Sequence, residues 1–186
     1  MKRIILFALL TLPVIANAQF SLTINGFVSS NDSSKNYIVY EYTNIPKEKL
    51  YINVLKFITS NFKSAKDVVS KVDNEVISLN AFQPKQIYAK TQNYDINYNL
   101  VVSFKDNKIK IDKPIFECTT FAYGKTYRLI MSGSNGGFGS EVTIGLFKKD
   151  GKQNQEKTIT YIESFINGLC NQIKTAASDS NNSDEW

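Results

Sequence analysis

"NYDINYNLVVSFKDN", residues 93–107, decides the fold. Tyr94, Ile96, Tyr98, Leu100, Val102 and Phe104 fall on one side of an extended chain. Asn93, Asp95, Asn97, Asn99, Ser103 and Lys105 fall on the other, with Val101 the exception. Successive side chains of a strand point to opposite faces, so this period of two describes a strand with one face buried and one in water. A strand wet on one side belongs to an antiparallel sheet, because parallel sheets are covered on both faces.

Working outward, "KDNKIKID" (105–112) reads as a tight turn at Asp106 and Asn107 into a further strand that carries Ile109 and Ile111 inward. Pro114 interrupts the pairing, and Phe116 and Cys118 take the opposite parity, which predicts an edge strand or a bulge. Upstream, "DVVSKVDNEVISLNAF" gives two apolar runs joined through Asp73 and Asn74, a hairpin. "NYIVYEYTN" alternates as a first strand, and "PKEKLYINVLKFITSNF" spaces Leu50, Val54, Phe57, Ile58 and Phe62 as one stripe of a helix. At the other end, Ile159, Ile162, Phe165, Ile166, Leu169 and Ile173 make a second helical stripe. Gly168 interrupts it, which suggests close packing against the sheet. Strand, helix, four strands and a final helix predict an α+β fold of two layers, a curved antiparallel sheet with both helices on one face.

"SGSNGGFGSE" (132–141) holds four glycines and invites comparison with phosphate loops. A Walker loop needs lysine and a hydroxyl residue after its last glycine, whereas Gly139 is followed by Ser140 and Glu141; the dinucleotide pattern fails because position 142 is valine. "YRLIMS" and "EVTIGLF" flank the stretch with strand alternation, which predicts a β-hairpin with a long mobile tip within an added segment, 121–157.

Lys2 and Arg3, the apolar run that follows and the small residues Ala16 and Ala18 read as a signal peptide, 1–18, cleaved between Ala18 and Gln19. The run is too short for a membrane span, so no transmembrane segment is expected after cleavage. The product is then exported, periplasmic or extracellular. Polar "SSNDSSKN" reads as part of a linker, 19–35, and "SDSNNSDEW" as the end of a disordered tail, 176–186, around a single domain, 36–175. Loss of Lys2 and Arg3 takes the basic count from 22 to 20 against 17 acids, lowering the net charge from +5 to +3. The remaining charges are dispersed, which excludes a nucleic-acid footprint.

Catalytic residue types are scarce. The chain has no histidine, the commonest general base and zinc ligand, and no metal-binding, nucleophile-elbow or calcium-loop motif. No cofactor or metal is expected, and Glu41, Asp95 and Glu163 read as solvated face positions. Cys118 and Cys170 could meet where helix covers sheet; a bridge there would contribute about 4 kcal/mol, and the alternative is two buried thiols packing as small apolar groups.

"NFKSAKDVVSKVDNEVISLNAF" (61–82) and "YNLVVSFKDNKIKI" (98–111) resemble a family of exported bacterial proteins of unknown function with a fold like that of the TATA-binding protein. The similarity covers about 36–119 and, more weakly, the last helix. It implies the fold, and it brings no activity and no site residues; the fold name alone implies no DNA binding.

What remains as a binding surface is the open sheet face. Asp95, Asn97 and Asn99 on the fourth strand and Lys108 and Lys110 on the fifth project there, amides and charges that could hydrogen-bond a sugar or a peptide. The chain is accordingly expected to be no enzyme but a binding or interaction domain of the bacterial cell envelope, with an envelope protein, a peptide or a glycan as partner. A structural accessory subunit docking through 121–157, and a hydrolase working with carboxylates, are the two other readings.

Overall fold

The computed structural model describes residues 19–62, 69–135, 137 and 139–179. The expected signal peptide 1–18 lies outside the described residues, as do 63–68 of the stretch that carries the resemblance and the terminal 180–186. For orientation, β6 (Gln92–Lys105) is the strand read from 93–107, and its even-numbered residues from Tyr94 to Phe104 are all buried. β5 (Val76–Ala89) pairs antiparallel with it, with a bulge between Gln83 and Ile87. β4 (Val69–Val72) completes the expected hairpin with β5, Asn74 taking the left-handed φ of 58° that its turn needs.

The other edge of β6 carries two strands end to end. β7 (Lys108–Asp112) pairs with its second half and β8 (Ile115–Ala122) with its first. Val102 lies opposite Ile111 but Asn99 lies opposite Ile115, so one extra residue is accommodated around Pro114. That single insertion is why inward parity changes from Ile109 and Ile111 to Phe116 and Cys118. Outside β7 lies β3 (Tyr37–Glu41), and outside β8 lies β9 (Lys125–Ser132), so the eight strands β3–β10 form one forked, open sheet.

The last strand, β10 (Glu141–Phe147), corrects the expectation of a glycine-tipped hairpin. Both flanking strands exist, but β10 runs parallel to β9, Glu141 opposite Thr126 and Phe147 opposite Ser132. The described residues of the glycine-rich stretch double back beside β10, in a crossover much shorter than the dozen or more residues usual for parallel connections. Gly145 permits this, since a Cβ there would run into the carbonyl oxygen of Gly133. Asn135 pins the crossover to the outer edge of β10. Its Nδ2 donates to the carbonyl of Glu141 (2.7 Å) and its Oδ1 accepts from the amide of Thr143 (3.0 Å). Asn154 Nδ2 donates to the carbonyl of Gly145 (2.9 Å), so side chains cover an edge that would otherwise invite another strand.

Both helices lie on one face of the sheet. α1 (Lys47–Asn61) buries Leu50, Tyr51, Val54 and Ile58, and α2 (Glu156–Ala177) buries Ile159, Ile162, Ile166, Leu169 and Ile173. Buried Asn53 of α1 donates to the carbonyl of Ala177 (3.1 Å), an acceptor that the helix end leaves unpaired, and to that of Asp179 just beyond it (3.0 Å). The helix therefore continues through Ala177, which is buried, rather than giving way to a tail at 176. Gly168 has open space where its Cβ would be, so close packing does not account for it.

Residues 19–35 are not a linker. β1 (Phe20–Thr23) and β2 (Gly26–Ser29) form an antiparallel hairpin whose Phe20, Leu22 and Phe27 are 1%, 4% and 1% exposed and join the main core. Each such burial contributes about 1.5–3 kcal/mol. β1 is held from its free edge by α2: Asn167 accepts from the Phe20 amide (2.8 Å) and donates to its carbonyl (2.9 Å), and Glu163 accepts from the Leu22 amide (2.7 Å). Four helical residues rise ~6 Å and two strand residues span ~6.6 Å, so two side chains four positions apart stand in for a neighbouring strand. Even "SSNDSSKN" is ordered locally: the Asp32 carboxyl, lowered to about 2 by hydrogen bonds from Ser34 and Lys35, folds the turn on itself.

Candidate functional site

The face turned away from the helices is built from the odd-numbered residues of β6 and their partners in register. One row across it runs Asn80, Asn99, Ile115, and the next runs Phe82, Asn97, Glu117. These six residues line a depression of about 400 Å³. Asn99 is committed within it, its Nδ2 donating to Ser78 Oγ (3.0 Å) and Asn80 Oδ1 (2.8 Å). Asn97 makes no side-chain hydrogen bond to a described residue and is exposed. Phe82 at 53% exposure and Ile115 at 66% flank it, so a free amide sits between two uncovered apolar groups.

A second row carries Val76, Ser103, Lys110 and Val39, and beside it Lys105 lies directly opposite Lys108. Lys105, Lys108 and Lys110 border a second hollow of about 420 Å³ with Ser103 and Val39. Lys110 is engaged by Asp112 (2.8 Å) and lies over the Tyr37 ring at 5.7 Å. Opposed like charges in register cost stability. On the far side of the face Arg128 bridges two acids, contacting Glu117 and, through Nε at 2.6 Å, Glu141.

The five residues read from the sequence thus share one face but not one site. Asn97 and Asn99 belong to the amide depression, and Lys108 and Lys110 to the basic hollow. Asp95 stands apart, accepting from the Lys85 amide at 2.9 Å and holding the β5 bulge where Lys85 takes a φ of 55°. Phe82, Ile115, Asn80 and Lys105 were missed. Alternation around Val76–Ala89 would have placed Phe82 and Asn80 outward, but only the cross-strand register sets them beside Asn97 and Asn99.

Cys118 and Cys170 are both free and buried. Burial pushes each thiol up to about 12, Cys118 beside Tyr94 and Cys170 beside Tyr40. A thiol so held stays protonated across the physiological range and is a packing group there. Among the described residues no cluster of three or more metal-ligating side chains occurs, and no helix is long and apolar enough to cross a membrane.

Comparison with one solved structure agrees with this architecture. The fold is similar to that of a TBP-like protein from Parabacteroides distasonis ATCC 8503, with a TM-score of 0.54 at 19% identity over 77% of this chain and 91% of that one. A DUF4468 family protein from Bacteroides ovatus ATCC 8483 aligns with a TM-score of 0.49 at 10% identity, over 78% and 86% of the two chains. No functionally curated protein matches the chain. The family model of DUF4468, a domain of unknown function with TBP-like fold, matches residues 37–114, from β3 to the bulge after β7. The resemblance read from 61–82 and 98–111 agrees with that match: over residues 37–114 the chain is similar to DUF4468, and its fold is α+β and TBP-like.

Proposed function

We propose that this protein is a non-catalytic binding domain of the bacterial cell envelope that takes a peptide or a glycan on the open face of its sheet. The observation that carries this is the uncommitted amide of Asn97 set between exposed Phe82 and Ile115. Apolar groups that remove area from water around one polar group that fixes orientation are what recognition of an amphiphilic chain requires. Lysines on this face alternate with Asp95, Asp112, Glu117 and Glu141, a mixed field that suits such a ligand better than a polyanion. Among the described residues the amide depression is lined by one carboxylate, Glu117, and the basic hollow by none, which weighs against acid-pair hydrolysis on this face. Export rests on residues 1–18; an envelope fraction whose chain begins at Gln19 by mass spectrometry supports it, and an intact Met1 in the cytoplasm overturns it.

The test of the site is a screen of envelope glycans and peptides against the purified chain, repeated with Asn97→Ala and Phe82→Ala. A specific partner should weaken roughly tenfold with either change, since a buried hydrogen bond or an aromatic contact is worth ~1–3 kcal/mol. A partner that binds both variants unchanged, or no partner at all, refutes the assignment. One observation favours the accessory-subunit reading instead: Phe121 and Tyr123, at 74% and 86% exposure, crown the β8–β9 turn. Exposed aromatics there suit docking to a protein, and a photocrosslinker at Tyr123 that captures no neighbour in cells removes that reading.

A further inference from the structure

We propose that the cavity between the β5–β6 turn and the glycine-rich crossover is a separate binding site for a small hydroxylated carboxylate of the sugar-acid class. It encloses about 450 Å³, within the ~300–1,000 Å³ usual for small-ligand pockets, and lies away from the amide depression of the open face. Gln92 lines it, and its Oε1 is buried without a hydrogen-bond partner among the described residues. A buried acceptor left unpaired is costly, and because Oε1 is out of reach of a water molecule, a turn of the Gln92 side chain is what brings it to a donor in the cavity. Tyr94 and Tyr127 line the same space, and neither hydroxyl bonds to a described residue.

The charge of the ligand follows from Lys90, which among the described residues is the one charged side chain bordering the cavity and pairs with no acid. An ammonium beside it would be repelled, whereas a carboxylate is attracted. Donor hydroxyls for Gln92, phenols able to donate or accept, and a cation for a carboxylate together describe a hydroxy-acid rather than an amino acid. The crossover forms one wall through Ser134 and Gly137, and the Asn135 bonds to β10 hold that wall in place before any ligand arrives.

The experiment is an amide NMR titration of the full chain with D-glucuronate, beside glucose, acetate and alanine. Glucuronate should give saturable shifts at Gln92, Thr143 and Gly145, with glucose, acetate and alanine at least roughly tenfold weaker. Gln92→Leu and Lys90→Asn should each weaken glucuronate roughly tenfold, asparagine being chosen because position 90 holds a φ of 52°. Asn97→Ala should leave it unchanged, which separates this site from the open face. Should Gln92→Leu disturb folding, the Lys90→Asn titration decides alone. Absence of a saturable response to glucuronate, equal binding of glucose or alanine, or indifference to both variants overturns the proposal.

Discussion

Replacing Asn167 by alanine tests whether two helix side chains really serve β1 as a neighbouring strand. The change removes an acceptor 2.8 Å from the Phe20 amide and a donor 2.9 Å from the Phe20 carbonyl, and leaves the Glu163 bond to Leu22 in place. Two part-buried hydrogen bonds at ~0.5–1.5 kcal/mol each give a loss of about 1–3 kcal/mol. For a domain of this size about 2 kcal/mol lowers Tm by roughly 4–8 °C. Urea denaturation measures the loss, and hydrogen exchange at the Phe20 amide locates it, because the hairpin edge should open before the rest of the core. Asn167→Asp keeps the acceptor but loses the donor and sets a second carboxylate one turn from Glu163, so it should lie between wild type and alanine. A loss below about 0.5 kcal/mol with Phe20 still protected would refute the strand-mimic account.

Two glycines should respond in opposite directions. Gly145→Ala collides with the backbone of Gly133 and should cost about 1–3 kcal/mol, whereas Gly168→Ala, with open space at its Cβ inside α2, should gain about 0.5–1 kcal/mol; equal signs in denaturant melts would discredit both readings. The native thiols should resist thiol reagents at pH 8 and react once the chain unfolds. Their pKa values are raised from 9.0 to about 12, so the folded state keeps protons that the unfolded state releases. Stability from this source is complete below pH 9 and declines as pH rises from 9 to 12, and a melt series showing no decline in that window contradicts the burial assigned to them.

How much of this was legible depended on whether the deciding signal was local. The period of two at 93–107 and the stripe from Ile159 to Ile173 are set by side chains a few positions apart, and both elements formed as read. Phe20, Leu22 and Phe27 sit in a stretch too short and polar to announce a core, and their burial depends on α2, far away in sequence. Likewise "YRLIMS" and "EVTIGLF" alternate identically whether they run parallel or antiparallel; the deciding contact is Gly145 against Gly133, which no periodicity records. The open-face residues were found because parity assigns a face. Their separation into an amide depression and a basic hollow was not, because parity says nothing about which row lies beside which.

The bonds between Phe20 and Asn167 join positions 147 residues apart, and that span dictates an order of assembly. A chain made or delivered from its amino end presents β1 first and α2 last, so the opening strand waits without its edge partners until the closing helix exists. Local hairpins such as β4–β5 and β8–β9 can form early, while the latch between Phe20 and Asn167 closes a loop spanning 147 positions and comes late. A nascent chain lacking α2 is thereby kept short of its finished core, and completion of the fold reports that α2 has been made.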